Sequence, residues 1–289
     1  MFQLNDISRK QAFLSHLIIS FVIFLITLYF IVFHWYPQPF FEIDGGWQGI
    51  RLIAAVDIVL GPLLTLIIFK PGKPGLKNDL AIIAVIQFTA LFSGIYVVQN
   101  ERPVAKVFYD GIMNIVTGYD MRDRNISEKD LEKYRIAGAI TIYLDLPENY
   151  ASFSKLNIEA IKKKEPLYLN TSLYKTLDKD VIQKMRAFSI DIERYLKDKY
   201  SQKEIELFQK FLDKHNASVN DFLYIALKAR FKFSIAVLDP DTFKFIGVIP
   251  GVKMPSENDF NEYIKFDLLR KEGIKQFLKE KALHSKKQM

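Results

Sequence analysis

The sequence contains no cysteine among its 289 residues. This absence excludes disulfide bonds, thiolate metal sites and a cysteine nucleophile. Histidine is also scarce: His16 and His34 lie in one apolar run, whereas His215 and His284 are isolated, so their spacing predicts no metal centre. The chain has no Gly-rich phosphate loop, serine nucleophile elbow or paired-histidine zinc motif. Together these absences favour a protein that is not an enzyme and has no cofactor.

An excess of basic charge is missing from the first third of the chain. The whole sequence has 40 lysines and arginines against 33 aspartates and glutamates, a formal net charge of +7. Residues 1–99 hold only six of the basic and five of the acidic side chains, so the excess lies in residues 100–289. Long apolar runs have the opposite distribution. The sequence therefore predicts two domains, an apolar one over residues 1–99 and a charged one over residues 100–289.

Three apolar runs are long enough to cross a bilayer, which takes roughly 20 residues. They cover about residues 12–36, 50–69 and 79–98. The first run is longer than the apolar part of a signal peptide and ends in His-Trp-Tyr-Pro, an aromatic pattern typical of a membrane interface. We therefore expect a retained anchor and a bundle of three transmembrane helices.

The lysines and arginines beside the runs predict the orientation of the bundle. Arg9 and Lys10 precede the first run, and three lysines occupy the loop at residues 70–78, whereas the loop at residues 37–49 has none. Positive loops stay in the cytoplasm. We therefore expect a cytoplasmic N-terminus and, in a bacterium, a periplasmic position for residues 100–289. Pro71-Gly72 and Pro74-Gly75 predict tight turns between the second and third runs.

One acid, Asp57, stands inside the second run. A carboxylate in the bilayer costs a few kcal/mol, so Asp57 should face protein. From a helix start near Ile50, its depth is roughly 10 Å from the outer end. Pro62 should free the carbonyl of Ile58 at a similar level. The sequence thus predicts a polar layer formed by all three helices, for which the candidates are Thr27, Asp57, Gly61, Pro62, Thr89 and Ser93.

Small and polar residues recur with helical spacing in each run, which favours close helix packing. They are Ala54, Asp57, Gly61 and Thr65 in the second run, His16, Ser20, Thr27 and His34 in the first, and Gln87, Ala90 and Gly94 in the third. Three roles for Asp57 remain open at this point. It could tie the bundle together, contact a partner protein, or form part of a proton or ion pathway.

Residues 100–289 have the pattern of a mixed α/β domain with short strands and several helices, so the overall class is α+β. Asp110-Gly111 predicts a β-hairpin. Ser127 and Ser201 each begin a capping-box-like helix start. A strand is predicted to end at Pro147, and apolar residues with helical spacing follow: Val181, Met185, Phe188, Ile192 and Leu196.

Two further strands are predicted around the turn Asp239-Pro240-Asp241-Thr242. Alternation of Phe231, Phe233, Ile235 and Val237 predicts that one face of the first strand is buried. A turn role for the two aspartates is favoured over a Ca²⁺ site. Basic and aromatic residues alternate at residues 230–233, but a nucleic-acid partner is not expected beyond the membrane. From Arg270 onward the sequence predicts a basic amphipathic helix.

The membrane part resembles the type IV pilin accessory proteins, the TfpX/TfpZ-like inner-membrane proteins. The residues that carry the resemblance are WYPQPFFEIDGGWQGIRLIAAVDIVLGPLLTLIIFKPGKPGL (Trp35 to Leu76) and ERPVAKVF (Glu101 to Phe108). The resemblance implies a bacterial inner-membrane factor, chaperone-like, that assists assembly of type IV pili. Its implied partners are the major pilin in the inner membrane and other pilus assembly proteins, and it implies no catalytic residue. After about residue 151 there is little resemblance.

Two competing hypotheses are a membrane-tethered periplasmic sensor that binds a small ligand and a membrane-bound enzyme. The sensor needs a cytoplasmic output, and the leader and the lysine loop are too short to form a domain. The enzyme lacks a recognisable motif.

Overall fold

The computed structural model describes residues 7–147 and 149–256. It divides between Pro103 and Val104 into two compact units. We call them the membrane unit and the α/β unit. The described residues show an α+β protein in which three apolar helices, long enough to cross a membrane, precede a mixed α/β unit. The predicted fold class is therefore confirmed.

The three spans of the membrane unit are continuous helices with wide, π-helical turns in two of them. They run over Arg9–Trp35, Gly46–Ile68 and Leu76–Asn100. The first consists of α1 (Arg9–Phe30) and a π turn (Ile31–Trp35), and the short α2 (Phe40–Ile43) follows it. The second consists of α3 (Gly46–Ala54), a π turn (Ala55–Leu60) and α4 (Gly61–Ile68), and the third is α5. The second span thus begins four residues earlier than the sequence predicts.

Local sequence signals explain where these helices begin. The side chain of Ser8 accepts a hydrogen bond from the backbone of Gln11, whose side chain accepts one in return, so α1 begins with a capping box. Gly72 and Gly75 have φ angles of 72° and 79° in the turn before α5. These left-handed conformations are easily accessible to glycine, which is why Pro-Gly pairs form this connection.

Polar contacts tie the spans together at both ends of the bundle. At one end, Nε of Arg9 donates a hydrogen bond to the carbonyl of Phe69 at 2.9 Å. At the other end, the hydroxyl of Tyr36 donates to the carbonyl of Val98 at 3.0 Å. The first and third spans are therefore parallel, and the second runs opposite to them.

The α/β unit contains an eight-stranded sheet within the described residues, in the order β3-β4-β1-β2-β6-β7-β8, with β5 paired to β4. Pairs β1–β4 and β2–β6 are parallel. The strands are β1 (Pro103–Tyr109), β2 (Ile112–Thr117), β3 (Arg135–Ile136), β4 (Ala139–Leu144), β5 (Tyr174–Lys175), β6 (Leu223–Lys228), β7 (Phe233–Leu238) and β8 (Phe245–Val248).

Helices cover the sheet over two apolar clusters. The helices are α6 (Gly118–Asp123), α7 (Glu128–Leu131), α8 (Tyr150–Lys163), α9 (Lys179–Arg186), α10 (Ile192–Lys199) and α11 (Gln202–Lys214). One cluster joins β6 and β7 to α10 and α11, and the other joins β1 and β4 to the segment around Leu167.

Two local predictions for this unit are confirmed. Asp110 and Gly111 both have positive φ angles, 45° and 81°, as the turn of a two-residue β-hairpin requires. Ser201 and Glu204 form the capping box of α11.

Three other predictions are wrong or incomplete. The apolar spacing from Val181 to Leu196 is divided between two helices, because the backbone of Ile190 bonds to the sheet instead. Phe231 precedes β7, and Phe233 is 48% exposed, so neither belongs to the predicted buried face. Strand β6 has no counterpart in the sequence prediction. The predicted helix after Arg270 lies outside the described residues.

Candidate functional site

Asp57 lies on the π turn in the middle of the second span and is 2% exposed. Because the helix begins at Gly46 and not near Ile50, Asp57 is about 16 Å from that end, deeper than the predicted 10 Å. Pro62, buried in the next turn, lacks an N–H and crowds the preceding helical turn. The wide π turn before it provides the space that a regular helix would deny.

The amide of Gln87 on α5 connects the three spans. Its Nε2 donates to Oγ of Ser20 at 3.1 Å, and lies 3.4 Å from both the backbone oxygen and Oδ1 of Asp57. Its Oε1 is 2.8 Å from Nε2 of His16. The shorter contacts join Gln87 to α1, whereas the contacts to Asp57 lie at the limit of hydrogen bonding.

His16 continues this network to the second span. Its Nδ1 is 2.6 Å from the hydroxyl of Thr65. Since the oxygen of Gln87 can only accept, Nε2 of His16 donates to it, and Nδ1 can then accept from Thr65 in a neutral ring. We call His16, Ser20, Asp57, Thr65 and Gln87 the polar cluster.

Gly61 provides the space in which Gln87 lies. A Cβ atom at Gly61 would be 2.4 Å from Cδ, Nε2 and Oε1 of Gln87, far inside van der Waals contact. Close approach of this kind is the usual reason for small residues between membrane helices. Gly94 differs, because a Cβ there would meet only Ile53 at an ordinary 3.5 Å.

The structure brings together only part of the predicted polar layer. Asp57, Gly61 and Pro62 are buried together, but Thr27 is buried elsewhere on α1 and donates to the carbonyl of Ile23. Thr89 is exposed and donates to its own helix, and Ser93 is exposed as well. The prediction of Thr27, Thr89 and Ser93 is wrong because it assumed that Asp57 lies about 10 Å from the end of its helix, whereas the distance is about 16 Å.

A different set of residues takes their place. His16, Ser20 and Gln87 were recognised as members of polar stripes but not as partners of Asp57. With a helix start four residues earlier, Asp57 moves about 6 Å deeper, towards the level of these three residues. The sequence signal was therefore present, and the missing information was the position of one helix start.

A cavity of about 350 Å³ opens beside the polar cluster. Its walls come from residues 12–23 of α1 and residues 80–91 of α5, and Asp57 and Thr65 lie at its floor. Oδ2 of Asp57 is buried and has no hydrogen-bond partner among the described residues. Because Oδ2 is covered, a group in the cavity reaches it only when neighbouring side chains move aside, and Oδ2 can then accept a hydrogen bond, or donate one if Asp57 is protonated.

The α/β unit contains a second unusual polar group, the amine of Lys106 on β1. This side chain is 4% exposed, and its Nζ lies 5.6 Å from the centre of the Phe245 ring. Burial, together with the charge of Arg135, lowers the pKa of Lys106 to about 8. Such a group weakens the fold when it is charged.

Asp239 and Asp241 form a turn, so the predicted turn role is confirmed. Oδ1 of Asp239 accepts hydrogen bonds from the backbone of Asp241 and Thr242 and from the Thr242 hydroxyl. These bonds lower the pKa of Asp239. Asp241 forms an ion pair with Arg186 at 2.9 Å. Among the described residues there is no group of three side chains that could hold a metal ion.

Comparison with curated proteins finds three relatives in Dichelobacter nodosus. The "Fimbrial assembly protein, serogroup E1" is 41% identical over 110 residues, which are 35% of this chain and 42% of that protein. The protein of serogroups C1 and C2 is 39% identical over 110 residues, which cover 83% of it. The protein of serogroup I is 39% identical, with 42% covered. The chain thus spans less than half of two of these relatives and most of the third.

The other two comparisons find nothing. No family model matches the sequence, and no solved structure matches it.

Proposed function

Since this chain belongs to the family of fimbrial assembly proteins, we propose that it is an inner-membrane accessory protein that assists the assembly of type IV pili. In this proposal it contacts the pilin in the membrane before assembly and protects it, in the manner of a chaperone. The observation that carries the proposal is the 39% identity to a fimbrial assembly protein that is covered over 83% of its length. The proposal assigns no catalytic step and no cofactor.

The geometry of the membrane unit supports such a role. A pilin that waits in the membrane presents one apolar helix and an extramembrane head, so a helper needs a lateral helix surface and a second surface outside the bilayer. In this chain the three spans bury only 17–33% of their most apolar segments within the unit. Large apolar side chains such as Ile19, Phe88 and Phe92 face outward and can contact lipid or another helix.

The orientation proposed for the chain has the α/β unit in the periplasm. Support comes from the positive charges: Arg9 bonds to the end of the second span, and the lysine loop follows it, so both lie at one end of the bundle. At the other end, Trp35 is the last residue of the first span and Trp47 is the second residue of the second span. Aromatic residues of this kind favour the membrane interface.

The function is tested by deleting the gene in its native host and measuring surface pili and pilin levels. We expect fewer surface pili, and restoration by the full chain. We also expect the host pilin to copurify with the full chain from detergent-solubilised membranes. Normal piliation together with no copurified pilin would refute the proposal. A phosphatase that is active only outside the cytoplasm, fused after Met289, tests the orientation separately.

A further inference from the structure

The cavity beside Asp57 is one section of a groove along the outside of the bundle. The second span packs against both α1 and α5 and forms the floor. Residues 12–23 and 80–91 form the two walls, each about 16 Å long or three helical turns. We call this surface the lateral groove. Ser15, Ile19 and Phe88 are exposed on its walls, so the groove is open to the lipid phase.

Asp57 contributes little to holding the bundle together. Its contacts with Gln87 are 3.4 Å long, whereas the bonds of Gln87 and Thr65 with His16 are 2.8 and 2.6 Å. Its Oδ2 faces no partner among the described residues. A buried polar atom without a hydrogen bond is costly, and more so in hydrocarbon. The position of this oxygen is therefore better explained by a group that arrives from outside the chain.

We propose that the lateral groove binds the apolar transmembrane helix of the pilin, and that this helix moves aside the side chains that cover Oδ2 of Asp57 and places a hydrogen-bond donor against it. The inference rests on the proposed function for the identity of the helix. The walls are three helical turns long, so one side of a single helix can lie along them. The small residues Ala12, Ser15 and Ala84 on the walls allow the backbone of that helix to approach closely. An acyl chain would fill the groove but would leave Oδ2 unpaired.

The test uses a photoreactive residue in the full chain, in membranes that also contain the host pilin. p-Benzoylphenylalanine replaces Phe88, which lies on the groove wall and is 52% exposed. The matched control replaces Phe21, which is 48% exposed and lies on the opposite side of α1. We expect pilin, identified by mass spectrometry, to be captured roughly tenfold more from Phe88, a preference of about 1.4 kcal/mol.

A second pair of variants tests the groove without touching the polar cluster. Ser15→Phe places a ring on the groove wall, whereas Leu14→Phe places the same ring on the outer side of α1. In the chain that carries the Phe88 photoprobe, Ser15→Phe should reduce pilin capture at least fivefold and Leu14→Phe should leave it within twofold. Two changes inside the polar cluster test the contact with Asp57 itself. Asp57→Leu, which cannot form a hydrogen bond, should reduce pilin capture, whereas Asp57→Asn should retain most of it.

The outcomes separate this inference from the proposed function. Equal capture of pilin from Phe21 and Phe88, or no effect of Ser15→Phe on capture, would refute the binding of the pilin helix in the lateral groove. Copurification of pilin would still support the proposed function in that case. Capture of lipid from Phe88 would make the groove a lipid site and overturn the inference. Capture of a second copy of this chain from Phe88 would overturn the inference too.

Discussion

The most informative perturbation is Gly61→Ala, because it forces the polar cluster apart by a known distance. The new Cβ would lie 2.4 Å from the amide of Gln87, and ordinary contact begins at 3.4 Å. The amide must therefore retreat by about 1 Å, which lengthens its bonds to His16 and Ser20 from 2.8 and 3.1 Å beyond hydrogen-bonding distance.

The expected loss of stability follows from these two bonds. Hydrogen bonds between membrane helices contribute about 0.6 kcal/mol on average and up to about 1.7 kcal/mol. Loss of two should therefore cost about 1–3 kcal/mol. Gly94→Ala is the matched control, since its Cβ would meet Ile53 at 3.5 Å. Alanine is also the better helix former, so Gly94→Ala should be neutral or slightly stabilising.

The assay can use intrinsic fluorescence. Both tryptophans of the chain, Trp35 and Trp47, belong to the membrane unit. Their emission during a titration of mixed micelles with a denaturing detergent therefore reports on that unit alone. The free energy of unfolding of Gly61→Ala is compared with that of the unaltered chain and of Gly94→Ala.

A double-mutant cycle identifies the cause. If Gly61→Ala acts by displacing the amide, it should cost little in a chain that already has Gln87→Ala. The reasoning is refuted if Gly61→Ala is as stable as Gly94→Ala. It is also refuted if the loss is unchanged in the Gln87→Ala background.

Three further changes have clear expected outcomes. Lys106→Met should stabilise the α/β unit by up to about 3 kcal/mol at pH 7, because a folded-state pKa near 8, below the ordinary 10.5, penalises the charged amine. In the unaltered chain the cost of burying the charged amine is complete below pH 8 and disappears as the pH rises to 10.5. The free energy of unfolding of the unit should therefore increase over that pH range. Hydrogen exchange in the unit should show this increase for the unaltered chain and not for Lys106→Met. Tyr36→Phe removes the bond to the carbonyl of Val98 and should cost about 1–2 kcal/mol by the fluorescence titration; an unchanged midpoint would contradict it. Asp57→Leu should change the free energy of unfolding in the same titration by less than about 1 kcal/mol and yet reduce surface pili. A large loss of stability would mean instead that Asp57 holds the bundle together.

The spans could be predicted because length and hydropathy are local properties of a sequence. Each of the three runs became one helix, and the Pro-Gly turns lie where the sequence puts them. Contacts between helices depend on depth as well. An error of four residues at the start of the second span was enough to pair Asp57 with Thr89 and Ser93 in place of Gln87.

The α/β unit shows the same limit. Hairpin and capping signals involve residues a few positions apart, so Asp110-Gly111 and Ser201 were interpreted correctly. Strand β6 pairs with β2, more than 100 residues earlier, and no local signal marks that pairing. The break before Ile190 likewise depends on its bond to Tyr224 in β6, which helical spacing cannot reveal.

The π turn at Ala55–Leu60 amounts to one residue inserted into an otherwise regular helix. In an α-helix one residue corresponds to about 100° of rotation. Deleting a single residue from this turn would therefore leave the span apolar and long enough for the bilayer, but it would swing α3 around relative to α4. The side chains of Asp57 and Thr65 would then no longer lie on the same side of the span. Two related sequences that differ by a one-residue gap in this turn can therefore place the equivalents of Asp57 against different neighbouring helices.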